Sequence, residues 1–272
     1  MRSREATALR FSWSILALGA ALSLVGGTPA AAQQPFATDD AEVTDAGHWH
    51  FQFSNEYDVL QKSAAPNLRQ DWSNFVFQYG LAHNLEVNVD FPLIAIENSR
   101  GTSDVFGFGD IDFAAKWKLA AEEPGRKHPA FTVNVAVETP TGSEKKQLGS
   151  GLTDYGVNLV LQKTLAAGTL LHVNAGIQFA GNTQTGVVGI RTPGTVLSSG
   201  VSVTRDFSPA LHLGLDLNGA EVHDGGPLER QLQLTAGGNY AVSADDTFDF
   251  GVVVGWRGAP RIGVIVGISI TP

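Results

Sequence analysis

Leu85-Glu86-Val87-Asn88-Val89-Asp90-Phe91 places an apolar residue at every odd position and a polar one at every even position. Successive side chains on a β-strand point to opposite faces, so a strand over these residues has one greasy wall and one wet wall. The design recurs in Phe131-Thr132-Val133-Asn134-Val135-Ala136-Val137-Glu138 and in Leu211-His212-Leu213-Gly214-Leu215-Asp216-Leu217-Asn218. Period two, not the 3.6 of a helix, is the dominant pattern.

Outward from that stretch, about twelve such segments follow one another, each near the ~10 residues that a tilted membrane strand requires. They centre on 47–57, 71–79, 85–92, 110–119, 130–139, 153–164, 170–179, 195–204, 210–219, 230–240, 247–256 and 261–271. The odd connections are mostly long (58–70, 93–109, 140–152, 180–194, 220–229) and the even ones mostly short. Long loops on one side and short turns on the other suit an all-β transmembrane antiparallel barrel with both termini on the periplasmic side. Two links break the rule: 120–129 is long for an inner turn, and 257–260 is short for an outer loop.

A soluble sandwich or lipocalin-like barrel also alternates, but its buried face needs large side chains. Here the non-greasy faces carry Gly, Asn, Asp, Ser and Thr, which cannot pack a dry core. Tyr57, Tyr79, Tyr155, Tyr240, Trp49, Trp117 and Trp256 all fall near segment ends on the outward phase, as the aromatic girdles of a membrane barrel require. Trp72 is on the opposite phase, which predicts a bulge or a loop position there. On strand nine, Leu215 is expected to face lipid and Gly214 the lumen.

The amino-terminal end reads as an address. Arg2, Arg4 and Arg10 precede a fifteen-residue apolar run, Phe11 to Val25, and Ala30-Ala31-Ala32 offers a cleavage site. Residues 1–32 are therefore expected to be a cleaved Sec-type signal peptide, the run being too short for a membrane anchor. Residues 33–46 hold four acidic groups (Asp39, Asp40, Glu42, Asp45) and no basic one, too polar to span. This periplasmic segment is a candidate plug, expected in the lumen against an inward glycine wall of Gly237, Gly251, Gly255, Gly263 and Gly267; residues 47–272 form the barrel. Without the signal, 15 basic and 26 acidic residues remain, a balance that argues against nucleic acid as a partner. The absence of cysteine excludes a disulfide scaffold and thiolate metal sites.

Four motifs, in order, resemble a known family. They are Pro35-Phe36-Ala37-Thr38-Asp39-Asp40-Ala41; Gly107-Phe108-Gly109-Asp110-Ile111 leading to Lys116; Glu138-Thr139-Pro140-Thr141-Gly142; and Gly149-Ser150-Gly151-Leu152-Thr153-Asp154-Tyr155-Gly156. Together they resemble the outer-membrane family named for the meta-pathway of phenol degradation, distantly similar to the toluene and long-chain fatty-acid channels. The resemblance is strongest from about 35 to 165. It implies location in a bacterial outer membrane and uptake of hydrophobic compounds; no cofactor is expected.

Sites for chemistry are sparse. Inward His172, His212, Asp216 and several serines could in principle serve a lipid-acting barrel hydrolase, but no Gly-x-Ser-x-Gly elbow is present. His48 and His50 share a strand face without a third ligand nearby, so they read as lumen polarity rather than a metal site. The glycines at 107–109 and 149–151 precede no helix, so they are bends rather than phosphate cradles. Antiparallel pairing of the third to sixth segments gathers Asp90, Asp110, Asp112, Glu138 and Asp154 at the outer end of one wall, with Glu86 facing Lys116 and Lys118 at the inner end. These residues are the candidate selectivity set, or solvated charge balanced by Arg100, Lys145 and Lys146. The sequence thus predicts passive passage of small hydrophobic or aromatic solutes across outer-membrane lipid. A non-transporting structural or adhesion barrel is the alternative, and a lipid-acting enzyme a distant third.

Overall fold

Once each alternating segment keeps its greasy side outward, neighbouring segments can pair only in registers that match face to face. In the computed structural model, which describes residues 34–62, 67–98, 103–123, 127–179, 194–223 and 229–272, they do so all the way round. The strands are β1 (Trp49–Val59), β2 (Asn67–Ala82), β3 (Leu85–Asn98), β4 (Val105–Phe108), β5 (Ile111–Ala120), β6 (Ala130–Thr139), β7 (Asp154–Ala166), β8 (Thr169–Phe179), β9 (Thr195–Ser208), β10 (Leu211–His223), β11 (Glu229–Ala241), β12 (Asp246–Trp256) and β13 (Ile262–Ile270). Each pairs antiparallel with its neighbours, and β13 returns to β1 from Phe51↔Ile270 to Val59↔Ile262. Closure removes the sheet edges except along the short β4, which pairs with β3 alone. β4 and β5 share one position against β3, so thirteen strands make a barrel of twelve staves.

The split stave has a local cause. On β3 two residues, Phe91 and Pro92, lie between the pairs Asp90↔Asp112 and Leu93↔Phe108, whereas the partner has three, Gly109 to Ile111. This is a β-bulge, at a proline that has no N–H to give the ladder. Gly109 N donates to Pro92 O at 2.9 Å. The Trp72 expectation is corrected: β2 keeps regular register from Arg69 to Gly80, and Trp72 points into the lumen, where it lines a cavity.

The outer face is the lipid belt, with exposed Val201, Val203, Leu217, Val252, Val264 and Val266 among its residues. Trp49, Trp117, Trp256, Tyr155 and Tyr240 lie exposed on the same face, and Trp49 packs on Tyr79 with ring centroids 4.8 Å apart. Inward neighbours on the same strands are buried and polar: Gln52, Ser54, Thr132, Ser202, Asp216 and Thr235.

Both links of unexpected length fold onto the barrel. The long link after β5 sends Glu122 to the β7 end, where it pairs with Lys163 and accepts from Thr164 N at 2.8 Å and Thr164 Oγ1 at 3.0 Å. Lys163 holds the Glu122 carboxyl below its ordinary range. The short link after β12 turns inward, burying Ala259 over Gly255, and Gln61 Nε2 donates to Gly255 O and Ala259 O at 3.1 and 3.2 Å.

The two faces predict different mutational costs. Leu215 is 57 % exposed on the belt, between Val203 and Ala236. Leu215→Arg should cost about 2–4 kcal/mol of folding stability. Gly214 faces inward as expected, but the Phe36 ring lies 2.8 Å from where its Cβ would be, so a larger residue there meets an occupant. Gln233, which lines open lumen, is the cleaner comparison. Urea titration of refolding into vesicles should show Gln233→Arg within about 0.5 kcal/mol of the parent; equal losses at the two sites would contradict the assigned faces.

Candidate functional site: the occupied lumen

Residues 34–46 precede the first strand and run inside the barrel. Their entry is at β2. Ala46 bridges Gly80, Gly47 N donates to Gly80 O at 2.7 Å, and Gly80 N donates to His48 O at 3.1 Å. A side chain at Gly80 would collide with the backbone oxygens of Thr44 and Asp45, so only glycine lets the chain pass this closely.

From there the segment crosses the lumen, each turn of backbone held by a different wall. Thr44 N and Thr44 Oγ1 both donate to Glu86 Oε2 at 2.7 Å. Glu42 pairs with Lys118. Ala41 is fully buried against Ala130 and Val160; its N donates to Gln162 Oε1 at 3.0 Å, and its O accepts from Thr132 Oγ1 at 2.7 Å. The Lys116 ammonium meets Asp39 at 2.7 Å and Asp40 at 3.0 Å, with Glu86 as its cross-strand neighbour. With its amide oriented to satisfy both partners, Asn174 brackets the Asp39 backbone, accepting from N at 2.6 Å and donating to O at 3.1 Å. On the far wall Asp216 accepts from Thr38 Oγ1 at 2.5 Å, Ala37 N at 3.0 Å and Thr38 N at 3.3 Å.

Glycines make room for the leading end. Phe36 abuts Gly214, Thr38 abuts Gly200, and Pro35 lies against Gly237 and Gly251. The other three glycines of the expected wall serve the barrel itself: Gly255 receives Ala259, Gly263 receives Asp58, and Gly267 lies against Asp249. Burial pushes the Asp39 carboxyl up to about 6, against the pull of Lys116.

The eight candidate residues thus separate into three groups. Glu86, Lys116 and Lys118 hold the segment. Asp90, Asp112, Glu138 and Asp154 are directly paired in sequence across β3, β5, β6 and β7, and they line a cavity of about 570 Å³ beyond the segment, whose wall is part polar and part apolar. Gln178 donates to Asp154 at 3.1 Å. Asp110 touches that cavity, but its carboxylate is spent on a loop: Gly142 N and Ser150 N each donate to it at 2.8 Å. The same loop buries Leu148 on Ile94 and Ile96, at the inner face of the outer end of β3. Asp110→Ala strands two amides, at about 1–3 kcal/mol in the region. Limited proteolysis should then cut within 140–152 while the barrel stays intact, and unchanged cutting would show that the loop does not depend on Asp110.

The remaining candidates hold no assembled chemistry. His172 Nδ1 lies 3.1 Å from Ser202 Oγ, but Asp216 pairs on the other side of Ser202 and binds the segment instead of orienting the imidazole. A nucleophile–base–carboxylate relay needs the carboxylate behind the histidine; His212 has one, Asp206 Oδ1 at 2.6 Å from its Nδ1, but among the described residues its Nε2 meets no hydroxyl. His50 is tied to Thr271 at 2.7 Å and Gln52 at 3.1 Å, whereas His48 is exposed ahead of β1. Among the described residues, no three His, Asp or Glu are gathered in metal-holding geometry. Lys145 and Lys146 lie exposed in the turn after β6, and Arg100 lies outside the described residues, as does the expected signal. Asp216, Gln162, Thr132, Asn174 and Trp72 were not singled out as holding or lining groups; their inward phase is the signal that could have found them.

A closed barrel with an apolar outer belt and a wet, partly filled lumen defines the class: a transmembrane β-barrel of the outer-membrane type. A family model described as "Putative MetA-pathway of phenol degradation" matches residues 30–263, and the chain belongs to that family. An outer membrane channel from Pseudomonas putida F1 superposes with a TM-score of 0.67 at 14% identity, covering 86% of this chain and 98% of that one. The NanC porin follows at 0.53 and 8%, covering 82% and 98%. The translocator domain of the autotransporter NalP from Neisseria meningitidis gives 0.52 and 9%, covering 83% and 89%. At such identities a channel, a porin and a translocator share this chain's fold and nothing finer. Among curated proteins no sequence matches the chain.

Proposed function

We propose that this protein gives small hydrophobic or aromatic compounds a passive route across the bacterial outer membrane, with residues 34–46 as a displaceable plug. The observation that carries this reading is the chemistry of the plug's contacts. It is held by ion pairs and hydrogen bonds to Glu86, Lys116, Lys118, Gln162 and Asp216, in a lumen whose other lining residues are mostly polar side chains and glycine, with Trp72, Val157, Ile177 and Val196 among them. Polar contacts can be exchanged for water at modest net cost, whereas a packed apolar core cannot. The phenol-degradation description of the family supports small aromatic solutes. Passage is diffusion, without an energy source or covalent step.

The purified protein in planar bilayers, and in liposomes loaded for uptake of phenol against glucose, tests the reading. Phenol uptake above that of protein-free vesicles and a plug-dependent ion conductance are expected. A barrel that stays silent even without its plug would instead be a structural or adhesion barrel.

A further inference from the structure

Asn74, Asp90, Asp112 and Asn134, on β2, β3, β5 and β6, line both the large cavity and a second one of about 160 Å³ beside the plug. They therefore mark the passage between the two. Asp90 is directly opposite Asp112 in register, which brings the two carboxylates to within contact range of one small group. Each of the four carries a buried side-chain oxygen, Oδ1 in every case, with no hydrogen-bond partner. The Trp72 indole faces the same cavity, and its Nε1 also lacks a partner.

We propose that this junction binds small organic cations, a protonated amine on an aromatic or alkyl body. Oxygens without donors are costly when buried, and an ammonium brings three donors at once. Charge-assisted bonds to carboxylates are the stronger kind, and the Trp72 ring offers the amine or its apolar body a face to lie against. The nearby ammonium groups do not fill this role, because Lys116 is committed to Asp39 and Asp40 and Lys118 to Glu42. A bare metal ion is the poorer match: calcium takes six to eight oxygens, and the described residues show no metal-holding group of acids. Glu138 and Asp154 continue the negative wall outward and would draw cations toward the junction. This names the solute class for the passage reading and rests on it for its biological meaning, although binding itself requires no passage.

Isothermal titration of the full chain in detergent micelles separates the cases, using phenethylammonium, 2-phenylethanol and 3-phenylpropanoate as probes of one shape and three charges. Phenethylammonium should bind saturably, one per barrel, and the neutral and anionic probes about tenfold or more weakly. Asp90→Asn with Asp112→Asn should lose about tenfold in affinity for the cation, and Trp72→Leu a few-fold. Heat-modifiable gel mobility checks that each variant is folded; the single change Asp112→Asn, expected to lose at least severalfold, replaces the double variant if that fails. Equal binding of the three probes, unchanged affinity in the folded variants, or displacement by potassium at matching concentration would overturn the proposal. Selective binding without conductance would sink the passage reading and leave the site standing.

Discussion

Deleting residues 34–45 should raise ion conductance in planar bilayers severalfold while leaving the barrel folded. The segment fills the lumen at the level of Lys116 and Asp216, bridging walls that face each other across the pore. Its Gln34 and Asp39 line both the cavity beside it and the larger one beyond, so its loss widens the passage between them. Barrel closure does not depend on it, because β1 pairs with β13 through nine residue pairs and every stave keeps both neighbours. The groups it leaves behind, Glu86, Lys116, Lys118 and Asp216, face a lumen that water then enters, so their desolvation cost falls as their partners are lost. Heat-modifiable mobility should match the parent's. Unchanged conductance from a folded deletion variant would remove the plug from the proposed function.

Lys116→Met should free the plug without cutting it out. Lys116 and Asp39 are only 5% and 6% exposed in their side chains, and the ammonium is shared with Asp40 beside Glu86. Removing one partner of a buried ion pair leaves uncompensated charge, typically at about 3–5 kcal/mol. That loss should fall on docking of the segment, because the barrel's ladders are untouched. The natural chain has no cysteine, so Ala41→Cys introduces a single thiol at a fully buried plug position. Its reaction with a bulky maleimide should accelerate about a hundredfold or more when Lys116→Met is added. Adding Asp39→Asn and Asp40→Asn should recover part of the loss, since the orphaned charges go with them. Equal labelling rates with and without Lys116 would show that the ion pairs do not hold the segment.

The pairings that build the barrel were legible in order. Alternation in 85–91 and its counterparts assigns each side chain a face, and short inner turns then set which residues meet. Glu86 facing Lys116 follows from that arithmetic and is found, whereas Lys118, expected beside it, stands opposite Thr132 and pairs with Glu42. Length and period therefore suffice for the stave count and for the belt at Leu215. Trp72 misled because an aromatic ring suits a lipid girdle or a lumen wall equally well, and phase, not residue type, was the better guide.

What fills the lumen is a different kind of fact. Thr38 and Asp216 lie 178 residues apart, and Ala41 and Gln162 lie 121 apart; no local period links them. An inward polar face is the same pattern whether it meets water, a loop or a plug. Asp110 was grouped with the acidic wall, but a bulge beside Pro92 and a returning loop turned its carboxylate onto two amides. Glycines are equally silent about their occupants: Gly237 and Gly251 admit Pro35, whereas Gly255 admits the barrel's own Ala259. Alternation along the chain is enough to choose barrel, faces and neighbours, since those depend on adjacent residues and on backbone pairing. The partners inside depend on which side chains closure brings across the pore, and that distance is set in three dimensions.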